Sequence, residues 1–383
     1  MSISVKPSGQ ACGAEVTGVD LRRPLDAGTI AAIGAAWAAH HVLAFPDQDL
    51  SDDDLERFTT YFGALGDDPY FNPVAGRRYV AAIERRADET SSIFAESWHC
   101  DWSFSKQPPI GTCLYGKTIP PVGGDTLFAN QHAAYAALPP ERQRLLDGLN
   151  VVHSAVAAYS PEGLYGQADA ASGRTMTPKI SEEARAREIH PLIQTHAGNG
   201  QKAIYGCWGY SIGVEGMAQD VAMQLLTELL AWQTRPEFIY VHKWQPGMLV
   251  MWDNRSLLHR ATGGYDGHAR LLHRTTIWLE RVNYGHCHQA RHSGCRSGTG
   301  SSVSYAPSSR PFQISLTNPK SSRSFRSTSL RPEGSTLKIN RRSALVRSKC
   351  HRSSHSASDP KPEGHLDPAI ATYRVPTEDP WRS

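Results

Sequence analysis

A chain of 383 residues, 40% hydrophobic and with nine tryptophans, can hold one large domain or two ordinary ones, and no run approaches the ~18 apolar residues of a membrane helix. The formal net charge of +3 is unevenly divided: residues 291–383 hold 16 Lys+Arg against 6 Asp+Glu, which leaves 24 against 31 in the first 290. Seven cysteines without a CxxC spacing give no zinc knuckle and no disulfide framework, and "MSISVKPSGQ" lacks the basic-then-apolar order of a signal peptide, so a cytoplasmic protein is expected.

In the first 285 residues short strands are mixed with a few helices. Asp26 caps a helix over "DAGTIAAIGAAWAAHH", with Ile30, Ile33 and Trp37 on one face, and "VLAFPDQ" follows as strand and turn. Ser51 and Asp54 have capping-box spacing; the helix they open should bury Leu55, Phe58 and Phe62 and stop at Gly63. A third helix is expected over Val221–Trp232. Ile110–Tyr115, Thr126–Ala129, Phe238–Lys243, Met248–Trp252 and Leu271–Leu279 are apolar, of strand length and bounded by Gly, Pro or Asp. Many short strands with few crossover helices predict a mainly β fold with flanking helices, a jelly roll rather than a doubly wound sheet. The GxGxxG, GxxxxGK[ST] and GxSxG patterns are missing, so the common nucleotide and hydrolase sites have no candidate. From residue 286 the chain is rich in Ser, Arg and Pro, with 21 serines in residues 291–383; such a composition cannot offset its ordering entropy, and disorder is expected.

"WHCDWSF" places His99 and Asp101 two apart, on one face if the stretch is extended. The same spacing recurs at His365 and Asp367, in the tail, so the pair alone decides nothing. A third ligand is most readily supplied by His259 in "MWDNRSLLHRATGG". Two imidazoles and one carboxylate on one face of an octahedron leave three positions open, the arrangement of non-haem Fe(II) oxygenases. Thr126 in "GGDTLFAN" supplies a hydroxyl. Arg270 and Arg274, on one face of a strand and roughly 13 Å apart at ~3.3 Å per residue, imply two anions in one pocket.

"WHCDWSF", "PPVGGDTLFAN", "HPLIQTH", "RPEFIYVHKWQPG", "WDNRSLLHRAT" and "RLLHRTTI", in order over about residues 4–282, closely resemble the taurine dioxygenase and phenoxyacetate dioxygenase family of Fe(II)/2-oxoglutarate enzymes. The resemblance implies a double-stranded β-helix with His99, Asp101 and His259 holding iron. It also implies that Thr126 and Arg270 bind the far carboxylate of 2-oxoglutarate, and Arg274 the acidic head of the substrate. Taurine-specific members carry a histidine in the loop that here reads "DDPYFNP", and an asparagine shortly before the WHxD motif. This chain has Tyr70 or Phe71 in the loop and Ala95 before the motif. With Trp102, Tyr159, Tyr205 and Trp208 as wall residues, the pocket reads as apolar around an acid-binding arginine. An aryloxyalkanoate, an alkyl sulfate or a bulkier sulfonate then fits better than taurine.

The expectation is therefore an enzyme taking Fe(II), 2-oxoglutarate and O2, with a small acidic organic substrate as its partner and no membrane association. A halogenase on this fold would need chloride in place of the carboxylate, and Asp101 argues against it. The alternative is a non-catalytic, metal- or ligand-binding jelly roll with a basic nucleic-acid-binding tail, and the sequence leaves a homo-oligomer open. Without aromatic interleaving in that tail, a solvated extension is the stronger reading. Truncation after residue 290 should therefore leave the melting temperature and turnover unchanged. Loss of folding in a thermal melt would place part of the core beyond that boundary.

Overall fold

The structure, a computed structural model, describes residues 3–166, 169 and 172–279. The Ser/Arg/Pro-rich tail and its His365–Asp367 pair lie outside the described residues. Two sheets organise the rest. An eight-stranded sheet runs in the order Ser4–Pro7, Ala14–Thr17, Val42–Phe45, Leu249–Asp253, Gly111–Thr118, Arg270–Trp278, Ala64–Leu65, and Ala81–Arg85 also pairs with Arg270–Trp278. A three-stranded antiparallel sheet places Thr126–Asn130 between Ile239–His242 and Leu257–Ala261. Smaller sheets comprise Ser211–Val214, Asn150–His153 and Glu188–Pro191, and the pair Ile193–Thr195 and Lys202–Ile204. The described chain is mainly β with flanking helices.

The uninterrupted apolar runs arise because both faces of the large sheet are covered. Leu43, Phe45, Leu249, Met251 and Ile277 pack with Ile33, Trp37, Leu55 and Phe58 of the helices Ala27–His40 and Asp52–Thr60. Their neighbours Val42, Ala44, Val250, Trp252 and Leu272 pack with Phe128, Tyr240 and Leu257 of the three-stranded sheet. The period of two thus assigns one set to each layer. On the last strand, Arg270, Leu272 and Arg274 share the inner side, facing the sheet that carries Thr126 and His259.

Asp26 caps its helix by accepting from Thr29 N, and Ser51 and Asp54 form the capping box. The second helix ends earlier than the sequence predicts: it stops at Thr60, Tyr61 at the cap is still in the right-handed region, and Phe62 is half-buried. Gly63 serves close packing instead, since an added Cβ would lie 2.4 Å from the Trp278 carbonyl oxygen and 2.8 Å from Ile277 Cγ2. Three short helices, Gln131–Ala136, Pro140–Leu146 and Val156–Tyr159, are too brief for a periodic signal. Because the backbone oxygen facing Gly63 cannot move without the sheet edge, Gly63→Ala should destabilise the fold by about 1–3 kcal/mol. A urea midpoint equal to wild type would show that the edge yields freely.

Candidate active site

A reciprocal pair of backbone hydrogen bonds joins the loop holding His99 to the edge strand holding His259: His99 N donates to His259 O at 3.0 Å and His259 N to His99 O at 2.8 Å. The pairing is an antiparallel bridge, so both side chains leave on the same side and the rings lie 4.2 Å apart. Beyond His99 the extended geometry assumed from sequence stops. Residues 101–104 form a turn and Trp102 has φ +47°, so Asp101 reaches the histidines from a turn rather than along a strand.

One donor atom from each of His99, Asp101 and His259 lies within 4.8 Å of the others, and all three residues are buried. His99 Nδ1 is 2.8 Å from Ser97 O; a carbonyl only accepts, so Nδ1 donates there and Nε2 is the ring nitrogen left for the site. Asp101 Oδ1 is 3.9 Å from that Nε2 and 3.6 Å from His259 Nε2, too far for hydrogen bonds. Burial first, then His99 and Arg274, pushes the His259 imidazole down to about 3 against the opposing Asp101. It is neutral near pH 7, and His259 Nδ1 is buried without a partner. Burial alone would raise the Asp101 carboxyl, but His259, Arg274, His99 and Thr112 hold it below the ordinary range. Two imidazoles, the His259 ring neutral, and an ionised carboxylate converge without hydrogen-bonding one another, a set that suits a divalent cation.

Asp101 is aimed by its other oxygen. Thr112 Oγ1 donates to Oδ2 at 2.5 Å and accepts from Asn254 Nδ2 at 3.0 Å, while Asn254 Oδ1 accepts from Trp252 Nε1 at 2.9 Å. This relay, with Thr112 from one strand and Trp252 and Asn254 at the end of the neighbouring one, leaves Oδ1 facing the histidines.

The two arginines differ in their counter-charges. Arg270 is buried; its Nε has no partner, Nη2 reaches Gly124 O only at 3.4 Å, and the guanidinium lies 5.8 Å from the Trp244 ring. Trp244 Nε1 in turn donates to Thr126 Oγ1 at 3.0 Å. Opposite Arg270 in the ladder, Arg85 is held by Glu89 at 3.3 Å, so that carboxylate does not serve Arg270. Burial lowers the Arg270 pKa, whereas Arg274, equally buried, is raised by the neighbouring Asp68 and Asp101. Arg274 Nη2 donates to Asp68 Oδ2.

Over residues 4–276 the sequence matches the model of the "Taurine catabolism dioxygenase TauD, TfdA family". The chain belongs to this family. As a TauD/TfdA member it is an oxidoreductase of the dioxygenase type. It is 34% identical, over 70% of its length and 95% of the relative's, to the alpha-ketoglutarate-dependent 2,4-dichlorophenoxyacetate dioxygenase of Cupriavidus pinatubonensis. It is 31% identical, over 72% and 90%, to the alpha-ketoglutarate-dependent sulfate ester dioxygenase of Pseudomonas putida. The crystal structure of AAD-2 in complex with Mn(II) and N-oxalylglycine superposes with a TM-score of 0.58 at 28% identity, covering 73% of this chain and 98% of that one.

A cavity of 60 Å³ is bordered by His99, Asp101, His259, Thr126, Arg270 and Arg274, together with Trp102. Phe94, Ala95, His99, Tyr159 and Tyr210 border it and also a 190 Å³ vestibule lined by Trp208. The other two wall residues expected from sequence lie elsewhere. Tyr70 is behind the wall, stacked on Tyr159 at 3.9 Å. Tyr205 is turned toward His153 and His190, each at 5.8 Å, and lines a separate cleft of 970 Å³ beside Trp278. That cleft is the larger, yet none of His99, Asp101 and His259 borders it. No described helix is long and apolar enough to cross a membrane. Thr112, Asn254 and Asp68 were not singled out by sequence; Asn254 stands inside a recognised motif and Asp68 inside the quoted loop "DDPYFNP", but no local pattern ties Thr112 to the site. Thr112→Val keeps the volume and removes the hydroxyl, so Co(II) affinity, followed by visible absorption, should fall about 10- to 100-fold. Unchanged affinity with an unchanged melting curve would show that Asp101 needs no such hold.

Proposed function

We propose that this TauD/TfdA-family chain is an Fe(II)- and 2-oxoglutarate-dependent dioxygenase that hydroxylates a C–H bond of a small organic acid, its two facing sheets forming a double-stranded β-helix. His99 Nε2, Asp101 Oδ1 and His259 Nε2 would hold the iron. Bound iron would couple the decarboxylation of 2-oxoglutarate to succinate and CO2, using O2, to hydroxylation of the substrate. Where the hydroxylated carbon bears oxygen or sulfur, the product would break down to release a phenol, sulfate or sulfite.

The observation that carries the reading is Arg270, a buried guanidinium with no carboxylate partner among the described residues, in one cavity with three converging donors. A buried charge of this kind calls for an anion from outside the chain. With Thr126 beside it, Arg270 would take the carboxylate of 2-oxoglutarate remote from the metal. Arg274 would orient the substrate acid, and Trp102, Tyr159 and Tyr210 would exclude water from the reacting carbon; Tyr70 backs this wall from behind, against Tyr159 and against Phe104, which packs on Tyr210. The related enzymes named for dichlorophenoxyacetate and sulfate esters support an aryloxyalkanoate or alkyl sulfate, with sulfonates also in range. The Mn(II) and N-oxalylglycine of AAD-2 support a metal with a dicarboxylate co-substrate.

Titrating 2-oxoglutarate into the Fe(II)-loaded protein under nitrogen should produce a visible charge-transfer band, and air should then yield succinate. Arg270→Ala should weaken 2-oxoglutarate binding by roughly 30- to 5,000-fold, because the remaining anion is left desolvated and unpaired. A wild-type affinity in that variant would remove the assignment.

A further inference from the structure

We infer that Asp68 sets the selectivity of this site by competing with the substrate's acid group for Arg274; the inference rests on the assignment of Arg274 to that group. Asp68 is built into its place. Its Oδ1 accepts from the backbone N–H of Tyr70 and of Phe71, each at 2.9 Å, the turn that Asp followed by Pro favours. Its Oδ2 accepts from Arg274 Nη2, and the two side chains are 10% and 9% exposed. Asp68 is thereby satisfied on both oxygens.

Arg274 is less completely satisfied. Its Nε is buried without a partner, and its guanidinium lies 5.1 Å from the Trp102 ring and 5.8 Å from the Phe71 ring. Arg274 borders the cavity with the three converging ligands, and Asp68 does not. The arginine therefore keeps donor capacity toward the cavity while Asp68 holds it from outside the lining. Its positive charge is already offset. A substrate carboxylate or sulfate arriving at Arg274 must either share the guanidinium with Asp68, at the cost of repulsion between two anions in a buried site, or displace it. Displacement would release the N–H groups of Tyr70 and Phe71, whose rings back Tyr159 and Phe94 of the wall. Asp68 thus weakens the preference of the site for a charged head group over a neutral one of the same shape. Arg270, with no such carboxylate among the described residues, keeps its full attraction for an anion.

The test compares phenoxyacetate with its uncharged amide, phenoxyacetamide, and includes hexyl sulfate as a second anion. Each is titrated under nitrogen into the Fe(II)–2-oxoglutarate form of the wild type and of Asp68→Asn, which keeps an acceptor for the two N–H groups and loses the charge. The readout is the perturbation of the charge-transfer band. Asp68→Asn should bind phenoxyacetate or hexyl sulfate roughly 10- to 150-fold more tightly, the size of one hydrogen bond to a charged group, and leave phenoxyacetamide unchanged. Asp68→Ser, whose hydroxyl can also accept at this turn, should move the ratio the same way and serves if the amide variant misfolds. An acid-to-amide ratio equal to or below that of wild type, or no acid binding in either variant, would overturn the inference. A counter-ion with a purely structural role would change stability and leave that ratio alone. Failure of 2-oxoglutarate to give a band in wild type would remove the functional reading and this inference with it; a normal band with unmoved acid affinity removes the inference alone.

Discussion

The two backbone hydrogen bonds between His99 and His259 are the constraint on which the site depends. They join residues 160 positions apart in the chain, and they place both imidazoles on one side of a single extended pairing. Leu257–Ala261 is an edge strand of its three-stranded sheet, so its outer hydrogen-bonding groups are free for such a contact. The bridge makes use of an edge that would otherwise be an unpaired template. Asp101, two residues on from His99 and at the start of the turn 101–104, then brings a carboxylate to the same point.

The buried cavity also has to balance its charges. The Asp101 carboxylate stands at the converging donors, and two guanidinium groups border the same space. One of them has an internal counter-ion and the other has none among the described residues. A fold that buried Arg270 with nothing beside it would lose stability for no return, because desolvating an unpaired charge costs several kcal/mol. The cost is intelligible where the charge is completed by a ligand, and it falls on the side of the cavity that holds Thr126. Arg274, closed by Asp68, illustrates the opposite solution on the same strand.

Much of this was legible in the sequence, because strand periodicity and capping are local signals. The Asp26 and Ser51 caps, the helix at Gln219–Gln233 and the five apolar strands could each be read from a dozen residues. The convergence of His99, Asp101 and His259 was accessible because they stand within distinctive motifs. What could not be read depended on tertiary approach. Gly63 has the look of a helix terminator, yet its reason is the Trp278 carbonyl more than two hundred residues on. Tyr205 is an aromatic residue in a suitable stretch, but its strand neighbours aim it at His153 and His190. Thr112 and Asp68 are ordinary polar residues until the sheets close and bring Asp101 and Arg274 to them.

The turn at 101–104 shows how closely the two halves of the site are joined. Trp102 adopts φ +47°, a region costly for a side chain of its size and stable only where the surroundings determine it. That backbone sends the Asp101 carboxylate toward the histidines while its own indole lies beside Arg274, at 5.1 Å, and against Trp278, at 6.0 Å. Adjacent residues thus reach the converging donors and the buried guanidinium. A shift of the indole to accommodate a substrate acid would be felt at Asp101, whose remaining freedom is limited by Thr112. The turn is thus held between the last strand of the large sheet, through Trp278 and Arg274, and the loop that bridges to His259, with the Asp101 carboxylate at its start fixed by Thr112.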